Sequence, residues 1–481
     1  MNFQIIKRMI GWLLIFEAIF FVIPLITAVV YWEKEFFTFL ITIAICLGCG
    51  LLCLWKKPQK DTIYAREGFV IVAVSWIIMS IFGCLPFVIS GKIPNFIDAL
   101  FETVSGFTTT GATILTGEQI ESMPRSLLLW RSFTHWIGGM GVLVFIMAFL
   151  PLSGARNMYL MKAESPGPTV GKLVPKVKTT AKILYIIYIA ATLAQFIFLL
   201  CGGITVYEAL NLAFSTAGTG GFGIKADSIA SYSPYIQVIC TIFMLLFSIN
   251  FNSYYLLIRG KFKEVLNAEV RAFLYIVGGA ILLITLNLAI SGTNGYKLGE
   301  AIRHTALTVA AIISTTGFLG ENFDLWPVFS KIIIVVLMFI GACAGSTGGG
   351  IKVSRIMVLA EEAGNETRKV IQPHLVKKIS FDKRIVDDIT VRSINAFIMA
   401  YAFIFAISML LVSFDCNSFE EVFTSVLTTM NNVGPAFGKP FNGFGFFSWT
   451  SKIVFIFDML VGRLEIFPML VLFLPSTWKK N

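Results

Sequence analysis

Apolar runs long enough to cross a bilayer, roughly 20 residues each, recur near positions 10–32, 36–55, 68–90, 130–151, 181–201, 234–258, 271–291, 328–344, 390–413 and 449–475. The pattern predicts ten transmembrane helices. Four segments interrupt it, being too apolar for loops and too short for spans: 95–113, 205–223, 299–320 and 418–438. Each opens on a helix-like stretch (PNFIDALFETVSGF, TVYEALNLAFSTA, LGEAIRHTALTVAAIIS and SFEEVFTSVLTTM) and closes on a Thr/Gly or Asn/Gly run. At about 10–15 residues, such stretches read as re-entrant half-helices that dip into the membrane and turn back.

The closing runs lie over one another as TTTGAT with Gly111, GTGGFG with Gly220, STTGFL with Gly317 and NNVGPA with Gly434, separated by 109, 97 and 117 residues. Span, half-helix, glycine turn and span recur each time, which is the signature of a fourfold internal repeat. The expected fold is an all-α polytopic membrane protein, with four pseudo-symmetric span–loop–span units around a central pore and two peripheral N-terminal helices. Its boundaries fall at 1–60 for the peripheral pair, then 61–155, 156–262, 263–380 and 381–481 for the four repeats.

Irregular backbone at membrane depth is tolerated only where protein buries it or water reaches it. Four such turns around one axis would direct their carbonyls at a central ion. Rings of carbonyl oxygens replace the water shell of a dehydrated monovalent cation, and glycine opens the backbone conformations that bring them close. A neighbouring threonine could add a hydroxyl oxygen. If each half-helix enters from outside, its C-terminal end points at the pore centre, where the negative end of the helix dipole favours a cation. Asp98, Glu208, Glu300, Glu420 and Glu421 lie near the half-helix N-termini, suited either to capping or to gathering cations at the mouth.

Composition agrees with a bilayer setting, with 56% hydrophobic and 14% charged residues and a mean hydropathy of +0.80. The first run is too long for a secretory signal, has no small-residue cleavage site and is followed at once by a second span. With both termini placed in the cytoplasm, 27 of the 38 Lys and Arg fall in the inner segments 1–9, 56–67, 152–182, 259–271, 352–392 and 476–481, and ten fall outside. This is the positive-inside bias. The net charge of +10 therefore needs no nucleic acid partner. Six of the eight cysteines lie in apolar runs as small hydrophobes, and the three histidines, His135, His304 and His374, have no ligand spacing.

Two motifs mislead. GTGGFG at 218–223 has dinucleotide-fold spacing but no preceding strand, and GSTGGGIK at 345–352 carries Ile351 where a phosphate-binding loop needs lysine. A membrane enzyme would need clustered acids or histidines at one face. As clear mid-span charges the apolar runs offer only Glu17, Asp458, Arg463 and Glu465, so no enzymatic function is expected.

The eighth span breaks at GACAGSTGGGIK, where Gly341, Gly345, Gly348, Gly349 and Gly350 accompany Ser346 and Thr347 in a run unable to hold a stable helix. Close helix packing through small residues is the competing reading. Arg463 lies within the last span, where an unpaired charge is costly, so it faces water or pairs with an acid, Asp458 and Glu465 being nearest in sequence.

Together with HWIGGMG at 135–141, GACAGSTGGGIKVSR at 341–355 and GRLEIFP at 462–468, the four turns make this chain resemble the Trk/Ktr/HKT superfamily of potassium transporters, in its Trk-type branch, over the whole length. That resemblance implies a selectivity filter of Thr110, Gly111, Thr219, Gly220, Thr316, Gly317, Val433 and Gly434, with potassium as the only bound metal and no cofactor. Gly111, where a serine accompanies sodium transport in the plant branch, favours potassium. Val433 would leave one quadrant without a threonine hydroxyl. The resemblance also makes 341–352 an intramembrane gate loop (Gly345, Ser346, Thr347, Gly348, Gly349, Gly350) that works with Arg463 as an electrostatic barrier below the filter. It implies potassium uptake across a bacterial inner membrane by a homodimer, regulated by a cytosolic nucleotide-binding ring of the TrkA type, for which the basic segments 152–182 and 352–392 suit docking. A sodium-permeable or cation-coupled symporter of the same fold is the alternative.

Overall fold

The computed structural model describes residues 1–55, 65–141, 177–292, 295–374, 378–381 and 384–479. Most of the basic segments 56–67 and 152–182, and the end of the expected span 130–151, lie outside them. Among the described residues the only strands are Ser380–Phe381 and Arg384–Ile385, paired antiparallel, and the rest of the regular structure is helical.

Among the described residues six helices are long and apolar enough to cross a membrane: Phe3–Val30, Glu35–Leu54, Arg66–Ile89, Thr179–Cys201, Ala268–Ser291 and Asp388–Val412. Their outward faces carry exposed Ile26, Leu52, Leu282, Ile290, Phe403 and Leu410, apolar surface suited to acyl chains. The remaining expected spans differ from simple helices for local reasons. Residues 234–258 form two helices, Pro234–Phe247 and Phe251–Ile258, bent by 90° at a break whose Asn250 caps the second. The helix Val328–Ile340 stops at Gly341, which has φ +69°. The last span ends at Arg463, and the chain resumes as Phe467–Phe473 after Glu465 and Ile466, both at positive φ. Within the first span, Pro24 has no N–H to give the preceding turn, and the helix divides at Phe21.

Four short helices, Phe96–Phe107, Val206–Ala217, Leu298–Ile313 and Phe419–Met430, occupy the re-entrant segments. The first two begin on side-chain caps. Asn95 accepts from Ile97 N at 2.9 Å, and Thr205 and Glu208 form a reciprocal capping box. Most of each helix is buried, polar residues included. Phe96–Phe107 packs against Ala65–Gly83, Arg125–Gly139 and Trp449–Arg463, with Phe101 set among Phe444 and Phe455, and Phe107 edge-on to Trp130. The Trp130 indole donates to Gly83 O at 2.9 Å.

The helix Arg125–Gly139 starts after Pro124, which supplies no side-chain cap. Its cap comes from the turn joining the first two spans, where Glu33 accepts from Arg125 N at 2.7 Å and Ser126 N at 3.0 Å. Glu33→Ala should therefore cost about 1–2 kcal/mol, the size of a charged N-cap, with Glu33→Gln keeping part of it. Thermal unfolding of the purified protein checks the order wild type, glutamine, alanine.

Candidate functional site

At the C-terminal end of each short helix the backbone runs through one and the same conformation. Thr109, Thr219, Thr315 and Asn432 have φ of +56°, +56°, +58° and +55°, and two residues later Gly111, Gly221, Gly317 and Gly434 have φ of +78°, +77°, +74° and +106°. Between them, the N–H groups of Thr110, Gly220, Thr316 and Val433 each donate at 2.9 Å to the carbonyl five residues back, on Ser105, Ser215, Ala311 and Thr428. This register differs from the sequence superposition at one loop. Gly221, not Gly220, is the counterpart of Gly111, and Gly220 takes the place of Thr110. The two adjacent glycines of GTGGFG left the alignment without a basis for choosing; the main-chain bond to Ser215 decides it.

The four turns close into a ring. A Cβ built on Gly111 would overlap Gly220 O, one on Gly221 would overlap Thr316 O, and one on Gly317 would overlap Val433 O; one on Gly434 would lie 2.7 Å from Thr110 O. Each carbonyl of the set 110, 220, 316 and 433 thus rests against the glycine of a neighbouring loop. Among the described residues none of these four oxygens accepts a hydrogen bond. Four buried, unpaired carbonyl dipoles at the ends of four converging helices can replace water around a cation.

Side-chain hydroxyls are committed elsewhere. Thr110 Oγ1 lies 2.8 Å from Thr108 Oγ1 and accepts from Asn432 Nδ2 at 2.9 Å, and Thr316 Oγ1 lies 2.7 Å from Ser314 Oγ. With Gly220 and Val433 at the other two positions, two quadrants lack a hydroxyl where the sequence had suggested one.

On the side of the half-helix N-termini, all four loops line a cavity of about 600 Å³, with Gly111, Gly221, Gly317 and Gly434 at its floor. The acids near those N-termini serve caps and ion pairs. Glu208 and Glu300 accept from the main-chain N–H groups of Thr205 and Lys297, Asp98 meets Lys452 at 2.6 Å, Glu420 meets Lys331 at 2.9 Å, and Glu421 accepts from Lys439 N at 3.0 Å.

The opposite side of the ring is covered by the segment 341–352. Gly349 N donates to Thr315 Oγ1 at 2.6 Å, Gly350 N donates to Asn431 O at 3.0 Å, and Lys352 Nζ donates to Gly348 O. The carboxylate of Glu269 accepts from Ala344 N at 2.7 Å and from Ser354 N at 3.2 Å, holding both ends of the segment. Arg463 lies beside it. Its Nη1 donates to Thr347 O at 2.8 Å and Thr109 Oγ1 at 3.2 Å, and its Nη2 donates to Gly138 O at 2.5 Å and Gly139 O at 2.8 Å. The acids nearest Arg463 in sequence are engaged elsewhere, Glu465 with Arg355 at 2.5 Å and Asp458 with Ser408 at 2.7 Å. Of the expected site residues, Arg463, Gly348, Gly349 and Gly350 are therefore brought against the ring, whereas Gly345 and Thr347 face the break at 247–250 and Ser346 turns to Cys343 O.

Three residues that sequence reasoning did not assign to the site support the ring from behind. Glu102 and Arg131 form a buried ion pair at 2.5 Å. Glu102 also accepts from Thr113 Oγ1 at 2.9 Å and Ile114 N at 3.0 Å, while Arg131 donates to Gly223 O at 2.9 Å. The pair thereby joins the first loop to the second. His135 does the same, its Nδ1 lying 2.7 Å from Gly106 O and its Nε2 accepting from Phe222 N at 3.3 Å. An arginine inside an apolar run and an acid inside a half-helix are the available signals; Arg131 is one of the ten basic residues that the trial topology puts outside.

A family model described as TrkH, a cation transport protein, matches residues 34–480. The chain is 34% identical to the Trk system potassium uptake protein TrkH of Escherichia coli strain K12 over 487 residues, covering 100% of both. It is 31% identical to the Trk system potassium uptake protein TrkG of the same strain over 485 residues, covering 99% of each. Among solved structures, the crystal structure of the potassium transporter TrkH from Vibrio parahaemolyticus matches with a TM-score of 0.89 at 31% identity, with 100% of both chains covered.

Removing one member of a buried ion pair leaves the other charge uncompensated, at a cost of about 3–5 kcal/mol. Glu102→Gln should accordingly lower the apparent melting temperature of the purified protein sharply. Combining it with Arg131→Met should recover part of the loss, because no buried charge is then stranded. Calorimetry or tryptophan fluorescence of the single and double variants measures both.

Proposed function

The chain belongs to the TrkH family of cation transport proteins, and from that membership we propose that it takes up potassium through a channel-like pore whose selectivity filter is the four-loop carbonyl ring. It is a transporter and not an enzyme. The observation that carries the proposal is the closed circuit of carbonyls 110, 220, 316 and 433, each unpaired among the described residues and each set against a glycine of the next loop. The filter residues are then Thr110–Gly111, Gly220–Gly221 with Thr219 before them, Thr316–Gly317 and Val433–Gly434.

On this reading the chain consists of two peripheral helices (1–60) and four repeats (61–155, 156–262, 263–380 and 381–481) related by pseudo-fourfold symmetry, as the shared backbone register supports. The loop 341–352 is the gate, since its Gly348 and Gly349 lie against Ser314 O and Asn431 O at the end of the filter away from the cavity. Arg463 adds a barrier there: a guanidinium held by carbonyls of two segments and the hydroxyl of Thr109 puts positive charge in the path of a cation. The bias of Lys and Arg places both termini in the cytoplasm of a bacterial inner membrane. The relatives are named as parts of a Trk system, which supports further Trk components as partners; on this reading they include a soluble nucleotide-binding subunit of the TrkA type, and the membrane unit is a homodimer.

Reconstituted vesicles with opposed potassium and sodium gradients test this directly. Potassium and rubidium flux should exceed sodium flux at least about tenfold, the discrimination expected of a carbonyl filter; equal fluxes would sink the selectivity assignment and favour a sodium-permeable pore. In Gly111→Ser the new Cβ would overlap Gly220 O and push that oxygen out of the ring, so potassium preference should fall. Arg463→Ala should raise flux severalfold, and an unchanged rate in that variant counts against the barrier.

A further inference from the structure

The 90° break in the helix pair Pro234–Phe247 and Phe251–Ile258 strips main-chain groups of their helical partners, at a depth where none can be left bare. In an unbroken helix Phe251 N would donate to Phe247 O, and Asn252 N to Ser248 O. Here all four groups are bonded, but to other partners. Phe247 O accepts from Thr347, from N at 3.4 Å and from Oγ1 at 3.2 Å. Ser248 O accepts from Cys343 N at 3.1 Å, and Phe251 N donates to Gly345 O at 3.0 Å. Asn252 N donates to the side chain of Asn250, Oδ1, at 2.9 Å. Three of the four groups are thus satisfied by the glycine-rich loop 341–352 and the fourth by Asn250.

The exchange has two complete solutions. With the loop seated, the break is fully bonded by the loop and Asn250. With the loop withdrawn, the same four groups pair with one another if the chain straightens into one helix, whereas a bent chain without the loop leaves three of them bare. We propose that the bend at 248–250 and the loop form one two-state element, in which Asn250 is the positioning residue: by capping Phe251–Ile258 it favours the bent state and, through it, the seated loop. Asn250 also packs on the loop itself, since a Cβ on Gly345 would lie 3.0 Å from its Oδ1. Unseating of the loop is accordingly coupled to straightening of residues 234–258. The inference rests on the reading of 341–352 as the gate.

The arms of the bent pair give the element a ruler. From residue 235 to residue 258 an unbroken helix spans about 35 Å, against about 25 Å for two arms at 90°. Tyr235 and Ile258 are exposed and can carry spin labels on non-canonical residues, leaving the native cysteines in place. In the full-length protein in vesicles, Asn250→Ala should shift the label distances toward the longer value and raise potassium flux about fivefold, the factor that loss of an ordinary N-cap gives. Asn250→Ser, which keeps a capping oxygen, should return both to wild type. That rescue separates a capping role from mere loss of packing.

Gly345→Ala, at φ +73° and crowded by Asn250, perturbs the loop directly. If it changes flux while Asn250→Ala alters neither flux nor distance, the loop is a gate but the coupling is wrong. Longer distances in Asn250→Ala with no change in flux, in a protein that also ignores Gly345→Ala, overturn the gate reading beneath it. Increased flux in Asn250→Ala at an unchanged distance likewise overturns the coupling.

Discussion

Main-chain carbonyl against glycine is the contact on which this structure turns. Four carbonyl oxygens are buried without hydrogen-bond partners among the described residues, and each lies where a side chain on the facing glycine would have to be. Bare buried carbonyls are costly, and so is the positive φ of the non-glycine residues two positions before the glycines. The surroundings hold the turns in place regardless. Short helices aim them, the buried pair of Glu102 and Arg131 joins the first loop to the second, His135 bonds Gly106 and Phe222, and Asn432 reaches from the fourth loop to Thr110 and to Met459 O at 3.0 Å.

The same economy governs the other irregular segments. The broken span at 248–250 and the glycine-rich loop satisfy each other instead of turning to lipid, and the interruption at 464–466 bonds within its own segment. Arg463 shows how far this goes, because its guanidinium takes two carbonyls from the end of one helix, one from the loop and a hydroxyl from the first turn. A charge in such a position is solvated by peptide dipoles. Arginine suits that better than lysine, having five donors in a rigid fork.

Much of this was legible in the sequence because it is written in hydrophobic length. Runs of about 20 residues mark spans and runs of about a dozen mark helices that cannot cross, so the apolar helices and the short helices could be read from the chain, and the resemblance to a family from the motifs at 135–141, 341–355 and 462–468. What escaped was decided by hydrogen bonds between residues far apart in the chain. The choice between Gly220 and Gly221 depends on one bond to Ser215, and neighbouring glycines give a pattern nothing to distinguish. The break at Ser248–Asn250 sits in a run that is apolar throughout, and its cause lies about a hundred residues downstream in the loop. Arg131 looked like a topology charge, since only the fold brings Glu102 to it. The acids at the half-helix starts could be read as caps or as cation lures, and their lysine partners, Lys331 and Lys452, are likewise distant in sequence.

The circular arrangement of the turns makes heredity in this ring nonlocal. The residue that contributes an oxygen is threonine in two turns, glycine in one and valine in one, because every amino acid brings the same peptide carbonyl. The residue that must stay small to leave that oxygen in place belongs to a different loop, often about a hundred positions away. A lesion at Gly111 is thus felt in the second quadrant, one at Gly221 in the third, one at Gly317 in the fourth and one at Gly434 back in the first. No quadrant can change its own wall without moving its neighbour's ligand, and the four turns stay bound to a common shape whatever side chains they carry.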